Sequence, residues 1–277
     1  MAENNFKIVR RKRGKKAWFE DSVGKRITKK FIITHMSTEG PLTKCVTRKG
    51  EYAYSVLQEK LYYSESNSIT INQLFDNIFA IKVSRDSIKM YLYNGEGKFL
   101  TEEISQFGFG FSNGLIPAKS NELWGYVDEE LNWVIQQQFP FMPDDFDDEG
   151  YATTMKNNKQ VVQSQMSVIN LSGEIVITGT NCKKLIHVTG DLYKLILEEG
   201  EGIINEKHEV VIPPIYEEIT MNGGYFVVKR NGKYGVFDNN GNEIFECIYP
   251  EVIDTGKKLI VPEFQRQELN YININKS

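Results

Sequence analysis

The chain aligns with itself at a period in the mid-thirties, and that self-similarity restricts it to folds built from many copies of one small unit. Ala17, Tyr52, Met90, Trp124, Met166, Glu201, Tyr234 and Leu269 fall at spacings of 35, 38, 34, 42, 35, 33 and 35 residues. Two residues after each anchor stand Phe19, Tyr54, Leu92, Tyr126, Val168, Ile203, Val236 and Tyr271, all apolar or aromatic, as a core-facing strand position requires. Four residues after it stand Asp21, Val56, Asn94, Asp128, Asn170, Asn205, Asp238 and Asn273, seven of them Asp or Asn. Gly24, Gly97, Gly173 and Gly241 recur at the seventh position, and Ile27, Tyr62, Leu100, Val134, Val176, Val211 and Ile244 at the tenth.

These columns describe a hairpin. An Asp or Asn side chain accepts from backbone N–H groups just ahead of it and opens a turn, and a glycine three residues later supplies the positive φ that closes it. Asn231-Gly232, set between apolar runs, predicts a second hairpin ahead of the anchor strand. Each repeat is therefore expected to hold about three short antiparallel strands, followed by an aromatic connector such as PPIYEEI around Tyr216 or CIYPEVI around Tyr249. No long helix is expected. The whole chain reads as one repeat domain over 1–277, with repeats at about 6–39, 40–75, 76–111, 112–148, 149–189, 190–221 and 222–255 and a half repeat at 256–275.

Composition supports strands: 16 Phe and 14 Tyr lie among many β-branched residues, side chains that fit a pleated, half-buried surface. Cys45, Cys182 and Cys247 are far apart and odd in number, which fits core thiols in a reducing compartment better than a disulfide framework. No apolar run reaches the length of a signal peptide core or a membrane span, so a cytoplasmic protein without membrane contact is the expectation.

The fourth repeat, GLIPAKSNELWGYVDEELNWVI, and the seventh, YFVVKRNGKYGVFDNNGNEI, resemble the WG-repeat family, also called KWG repeats and common in bacteria. Trp124, Gly125, Tyr126 and Asp128 carry the likeness in the fourth, and Tyr234-Gly235 stands in the place of Trp-Gly in the seventh. Counting weaker copies, the resemblance covers 6–275. Trp18 and Tyr91 replace the glycine in the first and third repeats, so those copies are expected to pack differently. The resemblance implies an all-β stack of repeats. An open, twisted β-repeat array is the expected form, and the repeat count also admits a seven-bladed propeller-like ring.

Motifs for catalysis are missing. There is no GxSxG, no P-loop and no zinc pattern, and His35, His187 and His208 stand in three different repeats, where a structural or surface role is expected. Gly108 and Gly110 in QFGFGFSNG read as a turn, because no helix follows them. Asp144, Asp145, Asp147 and Asp148 read as a solvated acidic connector, and the recurring Asp/Asn column as turn chemistry. No cofactor, metal or catalytic residue is implied.

Charge gives the one functional lead. The net charge of −4 hides a segment, residues 7–30, with eleven Lys or Arg against Glu20 and Asp21. Arg10, Arg11, Arg13, Lys15, Lys16, Lys25, Arg26, Lys29 and Lys30 are candidate anion- or partner-binding residues, with Trp18 and Phe19 nearby. A solubilising terminal cap is the competing reading of the same charges. The expected function is a non-enzymatic scaffold for a protein partner, with binding of an anionic partner or nucleic acid through the basic first repeat as the alternative.

Overall fold

The computed structural model describes residues 6–10, 16–65, 68–84, 88–157, 164–254, 258–262 and 269–273. Among these every regular element is a β-strand, as the aromatic and β-branched composition requires. No helix is long and apolar enough to cross a membrane. The chain divides into two compact units, residues 1–107 with 119–121 and residues 108–118 with 122–277.

In the N-terminal unit, Phe6–Arg10, Lys16–Asp21, Phe31–Glu39, Leu42–Thr47, Gly50–Ser55 and Tyr62–Ser64 follow one another in space as in sequence. Phe31–Glu39 joins Lys16–Asp21 at Lys16↔Ile32 and Ala17↔Phe31. Its pairing with Leu42–Thr47 is far longer, from Ile33↔Thr47 to Glu39↔Leu42. Ile69–Phe75, Ile78–Ser84, Ile88–Asn94 and Phe99–Thr101 make a second antiparallel sheet. Phe19, Phe31, Cys45 and Tyr54 fill one core between strands, and Leu42, Ile69, Ile81 and Tyr93 another.

In the C-terminal unit the most regular sheets run Lys184–Thr189, Leu192–Ile196, Glu201–Asn205, Val210–Tyr216, and then Glu218–Asn222, Tyr225–Arg230, Lys233–Asp238, Glu243–Tyr249. These repeats therefore have four strands, not three, whereas Tyr151–Asn157, Ser164–Asn170 and Ile175–Thr180 form a three-stranded sheet. PPIYEEI is no connector: Pro213 and Pro214 lie in the outermost strand of one sheet and Glu218 opens the next. Proline is tolerated there because an outermost strand needs no donor on its free side.

The Asp/Asn column does the predicted work. The Oδ1 atom of Asn170 accepts from the N–H groups of Ser172 and Glu174, both at 3.0 Å, and Asp128, Asn205 and Asp238 repeat the pattern. Gly173 then donates to the Asn170 carbonyl at φ +78°, and His208 takes the same position at φ +63°. Asn231 and Gly232, at φ +51° and +70°, close the predicted two-residue hairpin. The acidic connector holds one more such turn, which its irregular spacing concealed. Asp147 Oδ1 accepts from Glu149 and Tyr151, Gly150 closes the turn at φ +85°, and Phe146 is buried beside Tyr126. The second carboxylate oxygen of Asp147 lies 2.7 Å from Nδ1 of buried His187, whose Nε2 donates to the Gly190 carbonyl at 3.0 Å. Cys45 and Cys182 are buried as expected, whereas Cys247 is partly exposed at the sheet rim.

One column was set a residue out of register. Gln58 donates to the Ser55 carbonyl as His208 does to Asn205, so the second repeat's anchor is Glu51 rather than Tyr52. Ser55 rather than Val56 then fills the Asp/Asn column, and Tyr52 fills the glycine column.

That column decides how the outer strand runs. Across Gly125 the pairing passes from Trp124↔Phe139 to Tyr126↔Ile135, so the outer strand carries two extra residues, and the same shift crosses Gly202 and Gly235. A Cβ on Gly125 would stand 2.4 Å from the Ile135 carbonyl oxygen. Where Tyr52 or Ser167 holds the column, the outer strand pairs residue for residue. Only a residue without a side chain lets the bulged backbone come this close.

Adjacent sheets within each unit are tied by a repeated clasp. Glu51 meets Lys44 at 2.8 Å and accepts from the N–H of Ile69, the first core residue of the next sheet, while Lys44 donates to the Ile69 carbonyl. Glu201, Lys194 and Ile219 repeat the arrangement at 3.2, 2.8 and 3.1 Å.

Gly125→Ala should lose about 1–3 kcal/mol in urea unfolding, the usual cost of overpacking. Glu51→Ala should cost about 3–5 kcal/mol by leaving a lysine and a backbone N–H without their partner. Glu201→Ala, whose pair is more exposed, should cost less in the same measurement.

Candidate functional site

Among the described residues the cationic side chains of the first repeat stand at three different places. Arg11, Arg13 and Lys15 lie outside the described residues. Arg10 and Lys16 line a cavity of about 450 Å³ together with Ile33, His35 and Met36. Lys25 and Arg26 project from the turn opened by Asp21, where Arg26 bridges back to Glu20. Lys29 and Lys30 lie on the extended run that leads into Phe31.

Alternation along Lys16–Asp21 sends Phe19 into the core and its neighbour Trp18 to the other face. The Trp18 indole N–H donates to Glu20 at 2.6 Å, and the Arg26 guanidinium and Lys30 ammonium each stand 5.3 Å from its ring centroid. Two cations on one aromatic ring are held there by its negative face, an attraction of about 0.5–1 kcal/mol each at an exposed site. Trp18 thus fixes where Arg26 and Lys30 stand.

Lys30 is shared with a second feature, a groove of about 350 Å³ whose floor is Phe31, Tyr52 and Tyr63 and whose rim is Lys29, Lys30 and Lys49. Tyr52 packs against Phe31 with ring centroids 4.9 Å apart and against Tyr63 at 4.8 Å. The Tyr63 hydroxyl donates to the Lys49 carbonyl at 3.0 Å, which fixes a ring that is 43% exposed. Burial, and then the neighbouring Tyr63 phenol, raise the Tyr52 hydroxyl above its ordinary value, so Tyr52 adds no negative charge beside the lysines.

Four residues of this groove, Phe31, Lys49, Tyr52 and Tyr63, are not among the sequence candidates. The signal was present once the second repeat is placed in register. Trp18, Tyr52 and Tyr91 then fill the glycine column in three successive repeats, and Tyr52, facing an unbulged outer strand, lines the groove. Of the other candidates weighed, His208 substitutes for glycine in its turn and His187 is buried, while exposed His35 lines the larger cavity. Among the described residues no group of three His, Cys, Asp or Glu side chains is placed to hold a metal ion.

The glycine–bulge pairing at Gly125 and Gly202 coincides with the stretches that match a known family, described as WG containing repeat, at residues 124–159 and 202–234. These two stretches are WG repeats. No curated protein matches it. Among solved structures it is similar over 88% of its length to 93% of Kluyveromyces lactis Hsv2 with loop 6CD replaced by a Gly-Ser linker, at 13% identity and a TM-score of 0.35. It is similar over 86% of its length to 91% of K. lactis Hsv2, at 12% identity and a TM-score of 0.33. The WD40 domain of Neurospora crassa Pan2 is matched over 88% of its own length and 87% of this chain, at 11% identity and a TM-score of 0.29. In the matched stretches Gly125 and Gly202 admit the bulge, and in the N-terminal unit Tyr52, in the same column, lines the groove.

Tyr63→Ala removes a cross-strand aromatic pair at an exposed edge and should cost about 0.5–1.5 kcal/mol in thermal or urea unfolding, leaving the chain folded.

Proposed function

We propose that the protein is a non-catalytic β-repeat scaffold that holds an anionic macromolecular partner on its N-terminal unit. The observation that carries this reading is the groove whose rim is Lys29, Lys30 and Lys49 over a tyrosine floor. Lys29, Lys30 and Lys49 line one concavity, and three acids close to them in sequence are occupied elsewhere, Glu20 with Trp18, Asp21 with its own turn and Glu51 with Lys44, while Glu65, two residues beyond Tyr63, is exposed. A purely solubilising cap has no need of a concavity or of aromatic rings beneath its charges.

The binding role also fits the rest of the chain. The recurring Asp and Asn side chains are engaged by backbone N–H groups in their turns, and repeated edges and turns offer a broad surface to a partner.

Affinity capture with the full chain as bait tests the assignment. At about 50 mM salt the wild type should retain its partner, retention should fall at about 200 mM, and the Lys29→Glu, Lys30→Glu, Lys49→Glu variant should retain none. The same partner on wild type and variant at both salts would place the interface elsewhere.

A further inference from the structure

Resting on that reading, we infer that the groove of the N-terminal unit takes a single-stranded nucleic acid, with phosphates on Lys29, Lys30 and Lys49 and a base stacked on Tyr63. The lysines by themselves accept any polyanion. The tyrosine narrows the choice. Its ring stands at the groove, is substantially exposed, and is held in place from behind by Tyr52 at 4.8 Å and from its hydroxyl end by the Lys49 carbonyl at 3.0 Å. An aromatic ring that is fixed before binding costs little entropy to use, and its free face matches the flat face of an unstacked base.

An acidic peptide would satisfy the ammonium groups and leave the ring in water. A duplex would offer phosphates but keep its bases paired and stacked inside. Only a single strand supplies both halves of what the groove presents, and a stacked base of any identity suffices, so little sequence preference is expected. Trp18 has a different part. Arg26 and Lys30 cover its ring and Glu20 holds its N–H, so it braces Lys30 at the rim and offers no platform to a base.

Fluorescence anisotropy with labelled twelve-nucleotide oligo-dT and oligo-rU, a twelve-base-pair duplex and an oligo-glutamate peptide tests the inference on the full chain. At least one of the two single strands should bind, and which one distinguishes DNA from RNA. Affinity should drop on the order of 20-fold between about 50 and 200 mM salt, as about three phosphate contacts require. Tyr63→Ala should weaken binding roughly tenfold with an unchanged salt slope, Tyr63→Phe should bind within about twofold of wild type, and Lys49→Ala should lower the slope by about 0.7. Equal affinity for the duplex, or no effect of Tyr63→Ala, overturns the stacking assignment. Binding of oligo-glutamate with no binding of either single strand overturns the inference while leaving the anionic-partner reading in place. Binding of none of the four probes overturns both.

Discussion

One side-chain oxygen accepting two backbone N–H groups sets the geometry on which the rest of each repeat depends. At Asn170, Asn205 and Asp238 this pair of bonds reverses the chain directly after the anchor strand, and the residue three positions on adopts a positive φ to complete the reversal. Because side chains alternate faces along a strand, fixing the turn also fixes which residues of the outer strand point inward. Ile177, Ile212 and the other buried outer-strand residues owe their burial to that register. In the second repeat Ser55 is too short for the role. Its hydroxyl is buried without a partner, and that turn rests on backbone bonds from Gln58 to Ser55 and from Val56 to Pro41.

The repeat was legible because turn chemistry is local. Asp or Asn followed by a positive-φ residue reads the same way wherever it stands, and both hairpins predicted from it are present. The fourth strand was not legible, since Pro213 and Pro214 argue against a strand unless it is already known to lie at a sheet edge. Asp147 was read as a solvated acid because its turn falls outside the period, although its hydrogen bonds match those of the column. The one-residue error at Tyr52 had a similar origin. Phe31–Glu39, two strands before it, is longer than any other described strand, and Val56 is the lone exception in the Asp/Asn column.

Of the candidate site, the charge was legible and its grouping was not. Lys25, Arg26, Lys29 and Lys30 are close in sequence, yet the irregular run between Asp21 and Phe31 sends them to a turn, a tryptophan and a groove. Lys49 completes the groove from a different hairpin, and no local pattern links it to Lys30. What joins them is the tyrosine floor, to which Tyr52 contributes from the column that holds glycine at Gly125, Gly202 and Gly235.

The two ways of filling that column have an evolutionary consequence. At Gly125, Gly202 and Gly235 the outer strand carries two extra residues; opposite Tyr52 it pairs without them. A glycine-to-tyrosine change alone drives a ring into bulged backbone, and a two-residue deletion alone leaves a regular strand over a glycine with no side chain to present. Passage from one form to the other therefore runs through a less stable intermediate. Once established, an aromatic groove of this kind is insulated from single-step reversion, and so is the glycine-bearing form from drifting into one.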